Sequence, residues 1–205
     1  MRVIEVYADV WCPFAHVGLR CVSKRRALLK RQDVLLDIRA WPLELVNGKP
    51  LDPEDTALHV RELQSQVAPD LFGRFDPEHF PQTSLPALAC VHAAYRKGME
   101  TGEAMSFALR DALFEEGLDI SSADVLSEIA KSLDVNSIDA ADEQAVLADW
   151  DEGVRRGVKG SPHFYCGDSD TFCPSLNISK DKGGHLKMTT DMAVLDKFLV
   201  DCFGN

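Results

Sequence analysis

Strand patterns stand near the two ends of the chain, and this distribution constrains the fold more than any other feature of the sequence. At the N-terminal end, residues 2–8 (RVIEVYA) and 34–41 (VLLDIRAW) are rich in β-branched and apolar residues and are predicted to be strands. Between them, apolar residues recur at helical spacing from Pro13 to about Arg31. A strand, a helix and a second strand form a βαβ unit, whose strands pair in parallel.

The C-terminal end carries a second set of strand patterns. Residues 157–165 (GVKGSPHFY) and 185–190 (HLKMTT) are predicted to be strands, and a helix is predicted from Asp191 to about Phe203. This end is therefore predicted to form a ββα unit.

The segment between these units is predicted to be almost entirely helical. Its boundaries are marked by capping residues, prolines and glycines: Asp52-Pro53, Ser84-Leu85-Pro86, a Thr101 cap, a capping box at 121–124, and Gly157 after a helix that starts near Ala141. We predict an α/β protein in which an all-helical insertion, residues 51–156, interrupts a domain made of residues 1–50 and 157–205.

Charge and apolar content exclude some classes of partner. The chain has 22 basic and 33 acidic residues and a formal net charge of −11, which repels nucleic acid and anionic membranes, so we expect neither as a partner. No apolar run approaches the roughly 18 residues of a spanning helix, and the N-terminus lacks the pattern of a signal peptide. We expect a cytoplasmic protein whose six cysteines are mostly free thiols.

Cys12 is the first candidate for chemistry, in the segment Trp11-Cys12-Pro13-Phe14-Ala15 directly after the first strand. Pro13 suits the first position of a helix, because its φ is fixed and it has no N–H to leave unpaired. A thiol at this position faces unpaired N–H groups and the positive end of the helix dipole, which favour the thiolate and lower its pKa. Cys12 is therefore predicted to be a nucleophile, the alternative being a buried structural cysteine.

Gly160-Ser161-Pro162 is the second candidate, inside the predicted strand 157–165. A proline within a strand is unexpected unless it lies at an edge or a bulge or follows a cis peptide bond. Pro162 cannot donate to a neighbouring strand, so the backbone groups of Ser161 are predicted to be free for a ligand. The alternative is an ordinary edge-strand proline.

The order of these elements resembles that of a known family. A strand, a Cys-Pro pair and a helix, then a Gly-x-Pro at the start of a hairpin and a C-terminal helix, is the order of the thioredoxin fold. Nearly the whole chain resembles the DsbA-like branch of that superfamily, in which a helical domain interrupts the fold. The segments that carry the resemblance are ADVWCPFAHVGLR, FALRDALFEEGLDISSADVLSEIA and GVKGSPHFY. The same group includes 2-hydroxychromene-2-carboxylate isomerases and kappa-class glutathione transferases, which carry serine where this chain has Cys12 and use glutathione.

The resemblance implies roles for both candidates. Cys12 would be the nucleophile, Pro162 would be cis and lie beside it, and the backbone of Ser161 would hold an extended thiol-bearing ligand. The other members of the predicted thiol-binding site surround Cys12: Trp11, Pro13, Phe14 and Ala15.

Ala15 departs from the family pattern. Two-cysteine members resolve a mixed disulfide with the cysteine three positions after the nucleophile, and Ala15 has no thiol. Cys21 lies about 13 Å further along the same helix, out of disulfide reach. We therefore expect an external partner, glutathione or another low-molecular-weight thiol, and no tightly bound cofactor.

Three titratable residues are predicted to support the site. Asp9 is either a buried acid that passes protons or a cap of the turn after the first strand. His16 lies four residues after Cys12 and would stabilise a thiolate from the same helix face, unless it faces solvent. His163 borders Pro162, although strand alternation points its side chain to the opposite face.

The spacing of the histidines and cysteines near the C-terminal end gives little support to a metal site. His163, Cys166, Cys173 and His185 are separated by 2, 6 and 11 residues, unlike zinc sites, so no metal is predicted. Cys166 and Cys173 flank a hairpin-like loop as a candidate redox-sensitive pair, the alternative being an ordinary loop between strands. Two further groups are predicted to be core: the cysteines Cys21, Cys90 and Cys202, and the aromatic residues Phe72, Phe75, Phe80, Tyr95 and Phe107, for which a roof over Cys12 is the alternative.

The predicted function is a monothiol thiol-disulfide oxidoreductase, in which Cys12 attacks a disulfide or an electrophile and an external thiol resolves the mixed disulfide. One alternative is a glutathione-dependent isomerase or transferase in which Cys12 orients the thiol against Pro162 without bonding to it. Another is a non-catalytic thioredoxin-fold binding protein with an unreactive Cys12. The oligomeric state stays open, a homodimer included.

Overall fold

A four-stranded mixed sheet brings the two ends of the chain side by side. The computed structural model describes residues 2–181 and 186–203. The strands lie in the order β2-β1-β3-β4, with these bounds: β1 Arg2–Ala8, β2 Val34–Ala40, β3 His163–Cys166 and β4 Ser169–Phe172. β1 pairs in parallel with β2, and β3 runs antiparallel to β1 with His163 opposite Tyr7. The predicted α/β order is confirmed, and β3 is held next to the strand that leads to Cys12.

Two helices cover the same face of this sheet. They are α1, Pro13–Leu28, which follows β1, and α8, Met192–Phe203, near the C-terminus. Leu19 of α1, Phe164 of β3 and Leu195 of α8 are fully buried in their shared core. Burying one such side chain stabilises the fold by about 1.5–3 kcal/mol, so this core fixes α1 on the sheet.

Six helices lie between β2 and β3, with one short 3-10 turn at Pro77–His79. They are α2 Leu43–Asn47, α3 Pro53–Gln66, α4 Leu85–Lys97, α5 Met99–Phe114, α6 Ala123–Ser132 and α7 Ala140–Arg156. Asp52 caps α3 as predicted, because its carboxylate accepts from Glu54 N–H and Asp55 N–H. Across residues 2–181 and 186–203, no helix is long and apolar enough to cross a membrane.

Two predicted caps are wrong. Thr101 lies inside α5, which begins at Met99 directly after Gly98, where a φ of 155° separates it from α4. Ser122 stands at the N-cap of α6, but its side chain makes no capping hydrogen bond. A capping box is present instead at α7, between Asp139 and Asp142.

The C-terminal strands also differ from the prediction. β3 begins at His163, so Pro162 precedes the strand and does not lie inside it. Its hairpin partner is β4, which was predicted to be a loop. The four residues of β4 alternate between half-buried and exposed, so the sequence there shows little apolar pattern. Residues 186–190 form β6, which pairs with β5, Leu176–Lys180, in a separate two-stranded sheet.

Gly153 of α7 is required by close packing against the sheet. A Cβ at this position would lie 2.5 Å from Trp41 Cζ3 and 3.1 Å from Tyr7 Cδ1. We expect Gly153→Ala to lower the free energy of unfolding by about 1–2 kcal/mol, since overpacking outweighs the helix preference of alanine. Urea unfolding measures this, with Asp151→Ala at an exposed position of the same helix as the control. Equal stability of Gly153→Ala and wild type would contradict it.

Candidate active site

The structure brings the two candidate sequence elements together. Cys12 is the N-cap residue of α1, and its Sγ donates to the main-chain oxygen of Ser161 at 3.2 Å, across 149 positions of sequence. The Ser161 hydroxyl in turn accepts from Asp9 N–H at 2.9 Å. These two bonds tie the end of β1 and the start of α1 to the residue before Pro162.

Pro162 packs on the helix that carries Cys12. The Ser161–Pro162 peptide bond is cis. A Cβ on Gly18 of α1 would lie 3.1 Å from Pro162 Cγ, so only a glycine leaves the proline ring ordinary contact distance. The Ser161 carbonyl, predicted to be free for a ligand, accepts a hydrogen bond from the Cys12 thiol.

The pKa of Cys12 differs from the prediction. Its side chain is only 3% exposed. Burial raises the pKa of the Cys12 thiol, and the Asp9 carboxylate adds to this, while Ser161, the Ala15 amide and the Arg110 guanidinium act in the opposite direction. Desolvation outweighs the helix terminus because the N-cap position lies inside the protein.

Arg110 is a site residue that the sequence did not reveal. It is fully buried on α5, and its Nη1 donates to the main-chain oxygen of Asp9 at 2.6 Å. Burial lowers the pKa of Arg110 to about 10, and the neighbouring Cys12 and Asp9 act to raise it. An arginine in an amphipathic helix is usually solvent-exposed, so the pattern gave no signal for a buried cation beside the thiol.

Asp9 is a buried acid and does not cap the turn into α1. Its Oδ2 accepts from Leu43 N–H at 2.5 Å, at the start of α2. Burial raises the pKa of Asp9 to about 6, although the Leu43 amide and the Arg110 guanidinium favour the charged form. The structure shows the predicted burial of Asp9, while a role in passing protons stays a prediction.

His16 is neither exposed nor placed as a cation for the thiolate. It is fully buried, and its Nε2 lies 2.8 Å from Glu115 Oε1. Burial lowers the pKa of His16, so the ring favours its neutral form. Glu115 also accepts from Phe72 N–H and Gly73 N–H, which makes this pair a structural link between α1 and the end of α5.

His163 points away from Pro162, as alternation along the strand predicted. Its Nε2 lies 2.8 Å from Asp170 Oδ2 on β4, and its Nδ1 accepts from Lys159 N–H at 3.2 Å. Burial lowers the pKa of His163. These contacts hold the β3–β4 hairpin and involve no atom of Cys12.

Aromatic residues of the helical segment cover the residues next to Cys12. Trp11 is fully buried and stacks on Phe80, with ring centroids 5.6 Å apart. Phe75 packs edge-on against Phe80, and Phe72 packs on His16. The other predicted members lie elsewhere, since Tyr95 binds β2 through its hydroxyl and Phe107 lies under Arg20. Within the predicted thiol-binding segment, Pro13 and Ala15 are buried and Phe14 packs on His59.

Cys21, Cys90 and Cys202 lie in or against the hydrophobic core, as predicted. Within the described ranges, no group of three or more His, Cys, Asp or Glu residues could hold a metal ion, and His185 lies outside them. All six cysteines are free thiols, of which Cys90 is buried and Cys21 and Cys202 are half-buried. The predicted Cys166–Cys173 pair is wrong: Cys166 lies beside Cys202, whose pKa is raised by burial and further by the Cys166 thiol.

We expect Arg110→Met to make Cys12 less reactive. Loss of a buried positive charge near the thiol disfavours the thiolate, so alkylation of Cys12 by iodoacetamide should slow about tenfold at pH 8, equivalent to about one pKa unit. The measurement is the pH profile of Cys12 modification, followed by peptide mass spectrometry. Arg110→Lys, which keeps the charge, should retain most of the rate. An unchanged profile in folded Arg110→Met would contradict the assignment.

Solved structures share this fold at low sequence identity. A probable DsbA oxidoreductase of Streptomyces coelicolor superposes with a TM-score of 0.72 and 19% identity, covering 100% of this chain and 91% of the other. The cytosolic disulfide reductase DsbM of Pseudomonas aeruginosa, solved with GSH, gives 0.61 and 17%, covering 82% and 88%. A 2-hydroxychromene-2-carboxylate isomerase gives 0.59 and 14%, covering 83% and 88%. Identities this low show a common fold.

Comparison at the level of sequence identifies the family. The chain matches no protein in the curated set. A family model described as the DSBA-like thioredoxin domain matches residues 3–180, which include Cys12, the helical segment and Pro162. The fold, the placement of Cys12 beside Pro162 and this match agree: the chain belongs to the family of DSBA-like thioredoxin domains.

Proposed function

We propose that this protein is a DsbA-like thiol-disulfide oxidoreductase in which Cys12 is the nucleophile and a low-molecular-weight thiol, such as glutathione, regenerates it. The observation that carries the proposal is the position of Cys12 Sγ, at the N-cap of α1 and 3.2 Å from the oxygen of Ser161, the residue before Pro162. DsbM, a disulfide reductase solved with GSH, shares the fold.

The proposed reaction is two thiol–disulfide exchanges. The Cys12 thiolate attacks one sulfur of a substrate disulfide, a Cys12 mixed disulfide forms, and the other sulfur leaves as a thiol after taking up a proton. Ala15 supplies no second thiol, so an external thiol must return the enzyme to its reduced form and carry away the oxidising equivalents. A reducing compartment such as the cytoplasm suits this cycle, because the external thiol is kept reduced there.

Buried groups around Cys12 control its proton. With a pKa of about 6, Asp9 is largely ionised at neutral pH, and it is our candidate acceptor for the thiol proton. The Arg110 guanidinium compensates the charge that develops on sulfur. The Cys12 side chain is 3% exposed beneath neighbouring side chains, which favours a small disulfide over a folded protein as substrate.

The test is the order in which cysteines react with glutathione disulfide. Reduced protein is incubated between pH 5 and pH 9, quenched with acid at short times and mapped by peptide mass. We expect glutathione on Cys12 before any other cysteine, at a rate that rises with pH because burial raises the Cys12 pKa. No adduct on Cys12, or slow adducts shared among several cysteines, would overturn the proposal and favour a binding protein.

A second candidate function, a glutathione-dependent isomerase or transferase, is favoured by one observation. Cys12 keeps its proton more strongly than an ordinary thiol and donates it to Ser161, as a serine hydroxyl would. The 2-hydroxychromene-2-carboxylate isomerase shares the fold. Glutathione that protects Cys12 from alkylation without ever bonding to it would support this candidate.

A further inference from the structure

Cys173 directly follows β4 and lies opposite Pro162, which directly precedes β3. Its N–H donates to the main-chain oxygen of Pro162 at 3.0 Å, and the register of β3 and β4 continues from the pair His163–Phe172. Cys173 belongs to the same buried cluster as Val17 of α1, and Cys21 of α1 packs against this cluster. The Cys173 side chain therefore lies against the helix that carries Cys12.

The two cysteines form hydrogen bonds with the main-chain carbonyl groups of two consecutive residues. Cys12 Sγ contacts the oxygen of Ser161, and Cys173 N–H contacts the oxygen of Pro162. Both side chains are nearly inaccessible, at 3% and 5% exposure. This arrangement places a second buried thiol on the side of Pro162 away from β1.

The backbone at Cys173 is strained. Its φ is 48°, in the left-handed region, which costs about 1–2 kcal/mol for a residue with a Cβ. The bend turns the chain after β4 towards α1, where Ser175 Oγ would lie 3.9 Å from a Cβ on Gly18. Strained residues occur preferentially at functional sites, and this one directs a thiol towards the active-site helix.

We propose that Cys173, directly after β4, is the resolving thiol of this enzyme and supplies the second sulfur that Ala15 does not. The inference rests on the proposed function, because it requires a mixed disulfide on Cys12. It adds one internal step before the external thiol acts.

The internal step is balanced without an added oxidant. The Cys173 sulfur attacks Cys12 Sγ of the glutathione mixed disulfide, the Cys12–Cys173 bond forms, and glutathione leaves carrying the proton that Cys173 loses. Two molecules of glutathione then reduce the internal disulfide and become glutathione disulfide.

Burial and the neighbouring α1 thiols disfavour the Cys173 thiolate. Burial raises the pKa of the Cys173 thiol to about 12, and the Cys12 and Cys21 thiols raise it further. Cys173 is therefore protonated near neutral pH, and it loses its proton as the internal disulfide forms.

The experiment compares wild type with Cys173→Ser after addition of glutathione disulfide. Samples are quenched with acid over time, free thiols are alkylated, and cross-linked peptides are mapped. In wild type the Cys12 glutathione adduct should convert to a Cys12–Cys173 cross-link with release of glutathione. In Cys173→Ser the adduct should persist about tenfold longer or more. Cys21→Ser is the matched control and should behave as wild type. Mapping is essential because Cys166 lies beside Cys202 and the loss of two hydrogens alone would not identify the pair.

The outcomes separate the two proposals. An equally persistent Cys12 adduct in wild type and Cys173→Ser would overturn the resolving role and leave Cys12 as the nucleophile. A Cys12–Cys21 cross-link would also overturn it. No Cys12 adduct in either protein would overturn the proposed function and this step together. Cys173→Gly, which suits a left-handed backbone, serves as a second variant if the serine protein folds poorly.

Discussion

Replacing Cys12 by serine should abolish exchange with small disulfides while the fold survives. The hydroxyl is close in size to the thiol and can donate to the Ser161 oxygen in its place. It is not a nucleophile towards disulfides near neutral pH, so we expect the glutathione-dependent reduction rate to fall about a thousandfold, or about 4 kcal/mol of transition-state stabilisation. The measurement is the initial rate of hydroxyethyl disulfide reduction, coupled to glutathione reductase and NADPH.

The control for Cys12→Ser is Cys21→Ser on the same helix. Cys21 is half-buried on α1, so its replacement tests whether any α1 thiol matters. It should leave the rate within about twofold of wild type, with little change in stability for a half-buried position. Full activity in Cys12→Ser would contradict the proposed redox role. Retained glutathione-dependent isomerase activity in that variant would instead support the second candidate, in which a hydroxyl can replace the thiol.

The parts of the fold that the sequence predicted well are those with strong local patterns. The parallel pair β1–β2 and the helix between them follow from alternation, helical spacing and Pro13 at the helix start. β4 was missed because it has only four residues, none of them fully buried, between two turns. Its existence depends on pairing with β3, a tertiary interaction that no local pattern reports.

In the candidate site, too, residues in local motifs were predicted and residues placed by tertiary contacts were not. Cys12 and Pro162 were recognised from short motifs and from their order along the chain. Arg110 was not, because its contact with Asp9 joins positions 101 apart, and helical periodicity gives a buried face but not its neighbours. The direction of the Cys12 pKa shift was wrong for a related reason. The helix terminus is a local effect visible in sequence, whereas desolvation depends on everything packed around the thiol.

Asp9→Asn should remove a loss of stability that wild type undergoes between about pH 4 and pH 6. Burial raises the pKa of Asp9 to about 6, from about 3.9 in an unfolded chain. The folded state therefore binds this proton more tightly, and stability falls as the pH rises through that window. The shift corresponds to about 3 kcal/mol, which is fully lost above pH 6. Asparagine is neutral throughout, keeps an oxygen for Leu43 N–H and leaves the main-chain bond to Arg110 in place.

Urea unfolding between pH 4 and pH 7 measures the difference. The free energy of unfolding of Asp9→Asn, relative to wild type, should increase by about 2 kcal/mol across this range. Asp151→Asn, at an exposed position of α7, is the matched control and should show no such trend. If the free energies of unfolding of Asp9→Asn and wild type change with pH in parallel, the buried carboxylate is not the source of this pH dependence.

The same variant tests whether the stability that the protein loses through the buried Asp9 carboxylate is linked to a role of Asp9 in the reaction. A protein that keeps a buried carboxylate at a cost of about 3 kcal/mol at neutral pH gives up stability that a neutral side chain would retain. If Asp9 accepts the Cys12 proton, Asp9→Asn should be more stable at pH 7 yet react more slowly with glutathione disulfide. The rate deficit should shrink as the pH rises, because hydroxide then removes the proton directly. Greater stability without any loss of rate would exclude Asp9 as the acceptor of the Cys12 proton and leave Arg110 as the charged group that controls the thiol.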